Sequence, residues 1–92
     1  MAARGSNVTN VSASATSVTL FASNEGASAR HVYNDSSAIL RLKYGATASA
    51  TSFTALLNPG DLYEFPRPIY DGVVDGIWSA AAGAARCTEV LG

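Results

Sequence analysis

The sequence predicts an all-β fold, a small single-domain antiparallel β-sandwich or barrel of about seven or eight short strands. Two observations carry this. Short segments of alternating apolar and polar residues recur along the chain, and turn-forming residues break them at the roughly 8–12-residue spacing of sandwiches and barrels. Helix signals, by contrast, are almost absent. The richest, Ala80 to Ala85, is interrupted by Gly83 and lies between two strand-like runs, so it reads as a hairpin loop.

Residues 1–7 are small and polar and are expected to form a flexible N-terminal arm ahead of one domain over residues 8–92. The first strands fall at Asn7–Ala13 and Val18–Ala22, rich in the Thr and Val that suit a pleated surface. Arg30–Asn34 follows, then the turn Asn34-Asp35-Ser36-Ser37, then Ala38–Tyr44. In that last segment Ala38, Leu40, Leu42 and Tyr44 share one face, and Ile39, Arg41 and Lys43 the other. Asn and Asp suit the intervening turn because their side chains bond nearby backbone and tolerate left-handed conformations, so a hairpin is expected here.

Gly45 ends that strand and Thr51–Leu57 begins another. Asn58-Pro59-Gly60-Asp61 fits a type II turn, with Pro fixing φ and Gly free to take it positive, so Leu62–Phe65 is expected to pair back as a second hairpin. Pro66 and Pro68 cannot donate to a ladder and make Pro66–Tyr70 an edge or crossing segment. Val73–Ser79 and Ala84–Val90 are expected to close the domain as a last hairpin, with Trp78, Phe53 and Phe65 anchoring the core. One internal repeat stands out. Ala13-Ser14-Ala15-Thr16-Ser17-Val18-Thr19 matches Ala48-Ser49-Ala50-Thr51-Ser52-Phe53-Thr54 at six of seven places. It is either a coincidence of an Ala/Ser/Thr-rich composition or a pair of similar loop-into-strand motifs, one per sheet.

Composition bounds the core. Of 92 residues 48% are hydrophobic, but 17 of these are Ala, and Leu, Ile, Val and Phe together number only 20. A chain this short buries about 60–65% of its unfolded surface. A thin-cored domain completed by neighbouring copies or another protein is expected. Six basic and seven acidic residues in no run give no footprint for nucleic acid. No apolar stretch reaches the roughly 20 residues of a helical span, and no apolar segment follows Arg4, so neither membrane nor secretory signal is expected. Cys87 is the single cysteine, which forbids an internal disulfide and suits a reducing cytosol.

Little in the chain points to catalysis. His31 is the only histidine and reads as a strand residue beside Tyr33; Cys87 reads as a small packing residue. Asp71 and Asp75 would lie roughly 13 Å apart on one strand face, too far to share an ion, and read as turn residues beside glycines. No nucleophile elbow or phosphate loop is present, and the sequons at Asn7, Asn10 and Asn34 carry no weight without a secretory signal. The expectation is a protein that is not an enzyme and uses no cofactor or metal. Binding surface remains. Tyr33, Tyr44, Tyr63 and Tyr70 are numerous for so small a core, and Tyr63–Tyr70 adds Arg67 between two prolines. Tyrosine combines apolar area with a polar tip, so these five residues are the candidate interface, with a loop packed on its own domain as the competing reading of Tyr63–Tyr70.

The runs Ala29-Arg30-His31-Val32-Tyr33-Asn34-Asp35-Ser36-Ser37-Ala38 and Gly45-Ala46-Thr47-Ala48-Ser49 resemble small virion structural proteins of tailed bacteriophages. So do Leu57-Asn58-Pro59-Gly60, Tyr63-Glu64-Phe65-Pro66, Asp75-Gly76-Ile77-Trp78 and Gly83 to Glu89, a likeness spanning about residues 27–90. The resemblance implies a structural protein of the virion, made in the host cytoplasm, as a capsid decoration (cement) protein or a small tail or head-fibre component, with the capsid surface favoured over the tail. Its implied partners are the phage major capsid protein or another virion protein and copies of itself, a homo-oligomer with a trimer favoured. The alternative is a tail or head-fibre component, or a glycan-binding host-recognition module built on Trp78 with Asp75 and Asp71. Burial of Trp78 would remove that platform.

Overall fold

The computed structural model describes residues 5–92. They form eight strands and no helix: β1 (Gly5–Ser12), β2 (Val18–Phe21), β3 (Ala27–Ser36), β4 (Leu40–Tyr44), β5 (Ala55–Leu57), β6 (Leu62–Glu64), β7 (Val74–Trp78) and β8 (Gly83–Leu91). Two four-stranded antiparallel sheets result, one in the order β1-β8-β3-β6 and the other β2-β7-β4-β5. The expected all-β sandwich is therefore present. Residues 5–7 are not a free arm, because Gly5 to Ser12 pair without interruption with Leu91 to Ala84 of β8. Residues 1–4 of the expected arm lie outside the described part.

Strand positions agree with the alternation except that Thr51–Thr54, expected to begin a strand, lie in the loop before β5, and the pairing does not follow the turns. Three hairpins were expected, between β3 and β4, β5 and β6, and β7 and β8. In each case the two strands belong to different sheets. Asn58–Asp61 is a genuine tight turn, with Asp61 N–H donating to Asn58 C=O at 3.0 Å and Gly60 at φ +84°. It reverses the chain from one sheet to the other, not within one. A turn sequence specifies reversal, and the side that each strand must bury decides which sheet receives it.

The connectivity has a simple description. β1 pairs with β8, β2 with β7, β3 with β6 and β4 with β5, so the chain is one long antiparallel ribbon whose bend is the β4–β5 loop. The ribbon is rolled so that β8 also meets β3 and β7 meets β4. Eight strands connected this way form a jelly roll.

Between the sheets lie Leu20, Phe21, Val32, Leu40, Leu42, Leu57, Phe65, Val74, Trp78 and Cys87, with Ala38 and Ala85 filling the gaps. Trp78 and Phe65 are core residues as expected. Phe53 is not: it is 39% exposed, in the β4–β5 loop, with its ring 5.4 Å from the Arg41 guanidinium. Two polar side chains complete this thin interior, both on the inward face of β3 and flanking Val32. Arg30 is fully buried and donates from all three guanidinium nitrogens: Nε to Glu89 Oε2 at 2.9 Å, Nη1 to Tyr70 and Gly72 C=O, and Nη2 to Ala22 and Asp71 C=O. Its five N–H groups thus match five acceptors, and it lies 4.8 Å from the centre of the Phe21 ring. Asn34 is also fully buried. Its Nδ2 donates to Ala38 and Leu57 C=O, and its Oδ1 accepts from Ser36 Oγ and Trp78 Nε1. Arg30 ties loops to one end of the central strand and Asn34 ties them to the other.

Candidate interaction surfaces

Three of the five candidate interface residues are turned onto their own domain. Tyr44 stacks on Tyr70 with centroids 4.8 Å apart and on Phe65 at 5.2 Å. Tyr63 meets Phe65 edge-on at 5.4 Å, and its hydroxyl bonds that of Tyr44 at 2.9 Å. Burial first, and then the neighbouring Tyr63 hydroxyl, push the Tyr44 phenol above its ordinary range. All three tyrosines are half-buried. The Pro66–Tyr70 segment, with a cis Arg67–Pro68 bond, therefore brings Tyr70 back against Tyr44 of β4. Arg67 and Tyr33 remain exposed, Arg67 in that segment and Tyr33 on β3.

Tyr33 belongs to a larger face. On the outer side of the β1 sheet, Tyr33 stands between Leu62 of β6 and Arg86 of β8, and Arg86 pairs in turn with Asn10 of β1. The adjacent row runs Val8, Thr88, His31, Glu64. Val8 and Leu62 are 61% and 58% exposed, so three of the five exposed large apolar side chains among the described residues share this face. Its charged groups are few: Arg86 holds Asp35 at 2.9 Å, and Glu64 lies 3.9 Å from the His31 ring. Sequence reasoning missed Val8 and Leu62. Each stands at an outward position of an alternating strand, which is the signal that could have found them.

The outer side of the β2 sheet is covered by the chain at its Asp75 end, while Leu56 of β5 and Phe53 beside Arg41 stay exposed on the same side. Asp75 Oδ2 accepts from Thr47 N–H at 2.7 Å and from Ser17 Oγ at 3.3 Å, while Ser17 Oγ accepts from Ala48 N–H. This fastens the β4–β5 loop over β7 and buries Asp75, which is a strand residue and not a turn residue. Asp71 is exposed in the preceding loop. The internal repeat acquires a structural meaning here. Ser14 Oγ accepts from Thr16 N–H and meets Thr16 Oγ1, and Ser49 does the same with Thr51. Both copies form the same serine turn, and they lead into β2 and β5, the two edges of one sheet, not one strand in each.

Trp78, the proposed glycan platform, is 2% exposed and offers no ring face to a ligand. Cys87 is buried opposite Thr9 of β1, and burial pushes its thiol up to about 12. Beside it a groove of about 600 Å³ opens between β1 and β2, with Leu20 and Phe21 along one wall and Asn7 and Thr9 along the other. Among the described residues no three His, Cys, Asp or Glu side chains are grouped to hold a metal ion, and no helix is long and apolar enough to cross a membrane. Comparison with protein families, curated proteins and solved structures finds no match to this chain.

Proposed function

We propose that this chain is a non-enzymatic structural protein of a bacteriophage virion, a decoration protein that sits on the capsid and bridges neighbouring shell subunits. The observation that carries this reading is the outer face of the β1 sheet. Val8, Tyr33 and Leu62 lie exposed there on a nearly neutral surface formed by the three longest strands, β1, β3 and β8, with the short β6 at its border. Such a face suits docking on another folded surface better than capture of a small ligand. Jelly-roll connectivity agrees with it, since viral capsid domains are among the proteins built this way. Fold alone does not assign function, and the apolar face is what gives the reading its physical content. Tyr33 and Leu62 supply contact area, and Arg86 with Asp35 supplies a polar rim.

The test is made on particles of the phage that encodes the chain. Mass spectrometry of purified particles is expected to find the protein in many copies, and cryo-EM to place it on the head with the β1 sheet facing the shell. Tyr33→Ala with Leu62→Ser is expected to weaken binding to undecorated heads at least tenfold while leaving the fold intact. Particles without the protein would refute the reading, and a location confined to the tail would replace it by the fibre alternative.

A further inference from the structure

The four edges of the sandwich are not alike. β2 is four residues long with a register shift between Thr19 and Phe21, and β5 and β6 have three residues each. β6 also carries Glu64 and runs into Pro66. Short length, bulges, charge and proline are the usual means of keeping an edge from pairing. β1 has none of them. It runs eight residues in unbroken register, carries no charge and no proline, and is exposed along nearly its whole length. The phase of its ladder identifies the free groups. Ala13 N–H donates to Gly83 C=O at 2.9 Å, so odd-numbered residues face β8. The backbone N–H and C=O of Ser6, Val8, Asn10 and Ser12 therefore point away from the sheet.

We infer that β1 is a self-association edge that pairs antiparallel with β1 of a second copy, joining two sheets into one of eight strands. With Thr9 opposite its own symmetry mate, Ser6 meets Ser12 of the second copy and Val8 meets Asn10. All four outward residues are then used, in four pairs of two bonds, or about eight backbone hydrogen bonds. Charge favours a copy of the same strand as occupant. β1 is neutral, and the nearest charged residues inland, Arg86 beside Asn10 and Glu89 beside Asn7, are already held by Asp35 and Arg30. Among the described residues no like charges face each other across the seam. The second strand also walls the mouth of the groove beside Leu20 and Phe21. A strand paired antiparallel with itself is an isologous contact and closes at two copies, so this edge makes a dimer where the resemblance implied a trimer. The inference stands on edge geometry and is independent of the virion reading.

The experiment uses the whole chain in sedimentation equilibrium at concentrations up to about 100 µM, with circular dichroism to report the fold. A dimer is expected. Val8→Lys with Asn10→Lys places like charges directly opposite across the seam on a solvent-facing side, and is expected to weaken the dimer at least tenfold. Val8→Lys with Asn10→Glu places opposite charges at the same two positions and is expected to restore it. Val8→Pro removes only an outward N–H, leaves the β1–β8 ladder whole, and is expected to give a folded monomer. A monomeric or trimeric wild type, a dimer indifferent to the two lysines, or no recovery with the Lys/Glu pair would each overturn the inference.

Discussion

Arg30 and Asn34 do work in this domain that its apolar residues are too few to do. A guanidinium with five N–H donors, buried against one carboxylate and four carbonyls, holds the C-terminal end of β2 and the 70–72 segment to β3. Removing one partner of a buried ion pair is far more costly than never having built it, because the other charge is left without compensation. Arg30→Ala strands Glu89 and four carbonyls and is expected to cost about 3–5 kcal/mol in urea unfolding. Arg30→Lys keeps the charge but offers three donors from a single nitrogen, and is expected to recover only part of that loss. A cost below about 1 kcal/mol for the alanine variant would show that water replaces the guanidinium at this site. The position was only half legible. Alternation through Arg30–Asn34 puts Arg30, Val32 and Asn34 on one face, but a charged residue and a turn former there suggest an outward face. Composition misleads because it does not reveal that loops from both ends will deliver acceptors to these two residues. Val8 and Leu62 mislead in the opposite sense, as apolar residues that the alternation turns outward.

At the scale of elements, the strands could be read and their partners could not. Alternation in 38–44 located β4 and its inward residues, since the period of two belongs to a single strand. Pairing depends on contacts distant in sequence, and the turn residues between strands carry no record of them. Gly83 illustrates the difference. It opens β8 opposite Ser36 with φ +111°, and a Cβ there would meet Ser36 Cα at 2.6 Å and Asp35 O at 2.7 Å. Those neighbours are backbone and cannot yield. Gly60, at φ +84° in the 58–61 turn, has nothing within 4 Å of the same added atom. Gly60→Ala is therefore expected to cost only its conformational strain, about 1–2 kcal/mol. Gly83→Ala adds a clash between strands and is expected to cost about 3 kcal/mol or more, among the largest single-substitution effects. Urea midpoints of the two variants measure the contrast, and equal losses would mean that β8 can shift away from Ser36.

For the molecule as a whole, the ribbon topology determines how the fold can be reached. β1 and β8 are the first and last strands, and they pair along their length, while β8 also lies at the centre of its sheet. Only the β4–β5 pair is local, and it has three residue pairs. Each remaining pairing closes a loop of many residues before any contact offsets the lost chain entropy. A domain of this size made of local contacts folds within microseconds to milliseconds, but non-local β pairing belongs to the millisecond-to-second range. Trp78 is a convenient reporter, since it is the single tryptophan and its Nε1 donates across the core to Asn34 of the opposite sheet. Its native fluorescence requires both sheets to be docked. Stopped-flow refolding from urea at low protein concentration is expected to return that signal in roughly 10 ms to 1 s. Recovery within about 1 ms would mean that the sheets dock before the β1–β8 pairing forms, and that the closing of the ribbon does not limit the rate. Asn34→Ala is expected to raise the unfolding rate more than it slows refolding, because its four hydrogen bonds join loops and a strand that meet only when the sheets are together.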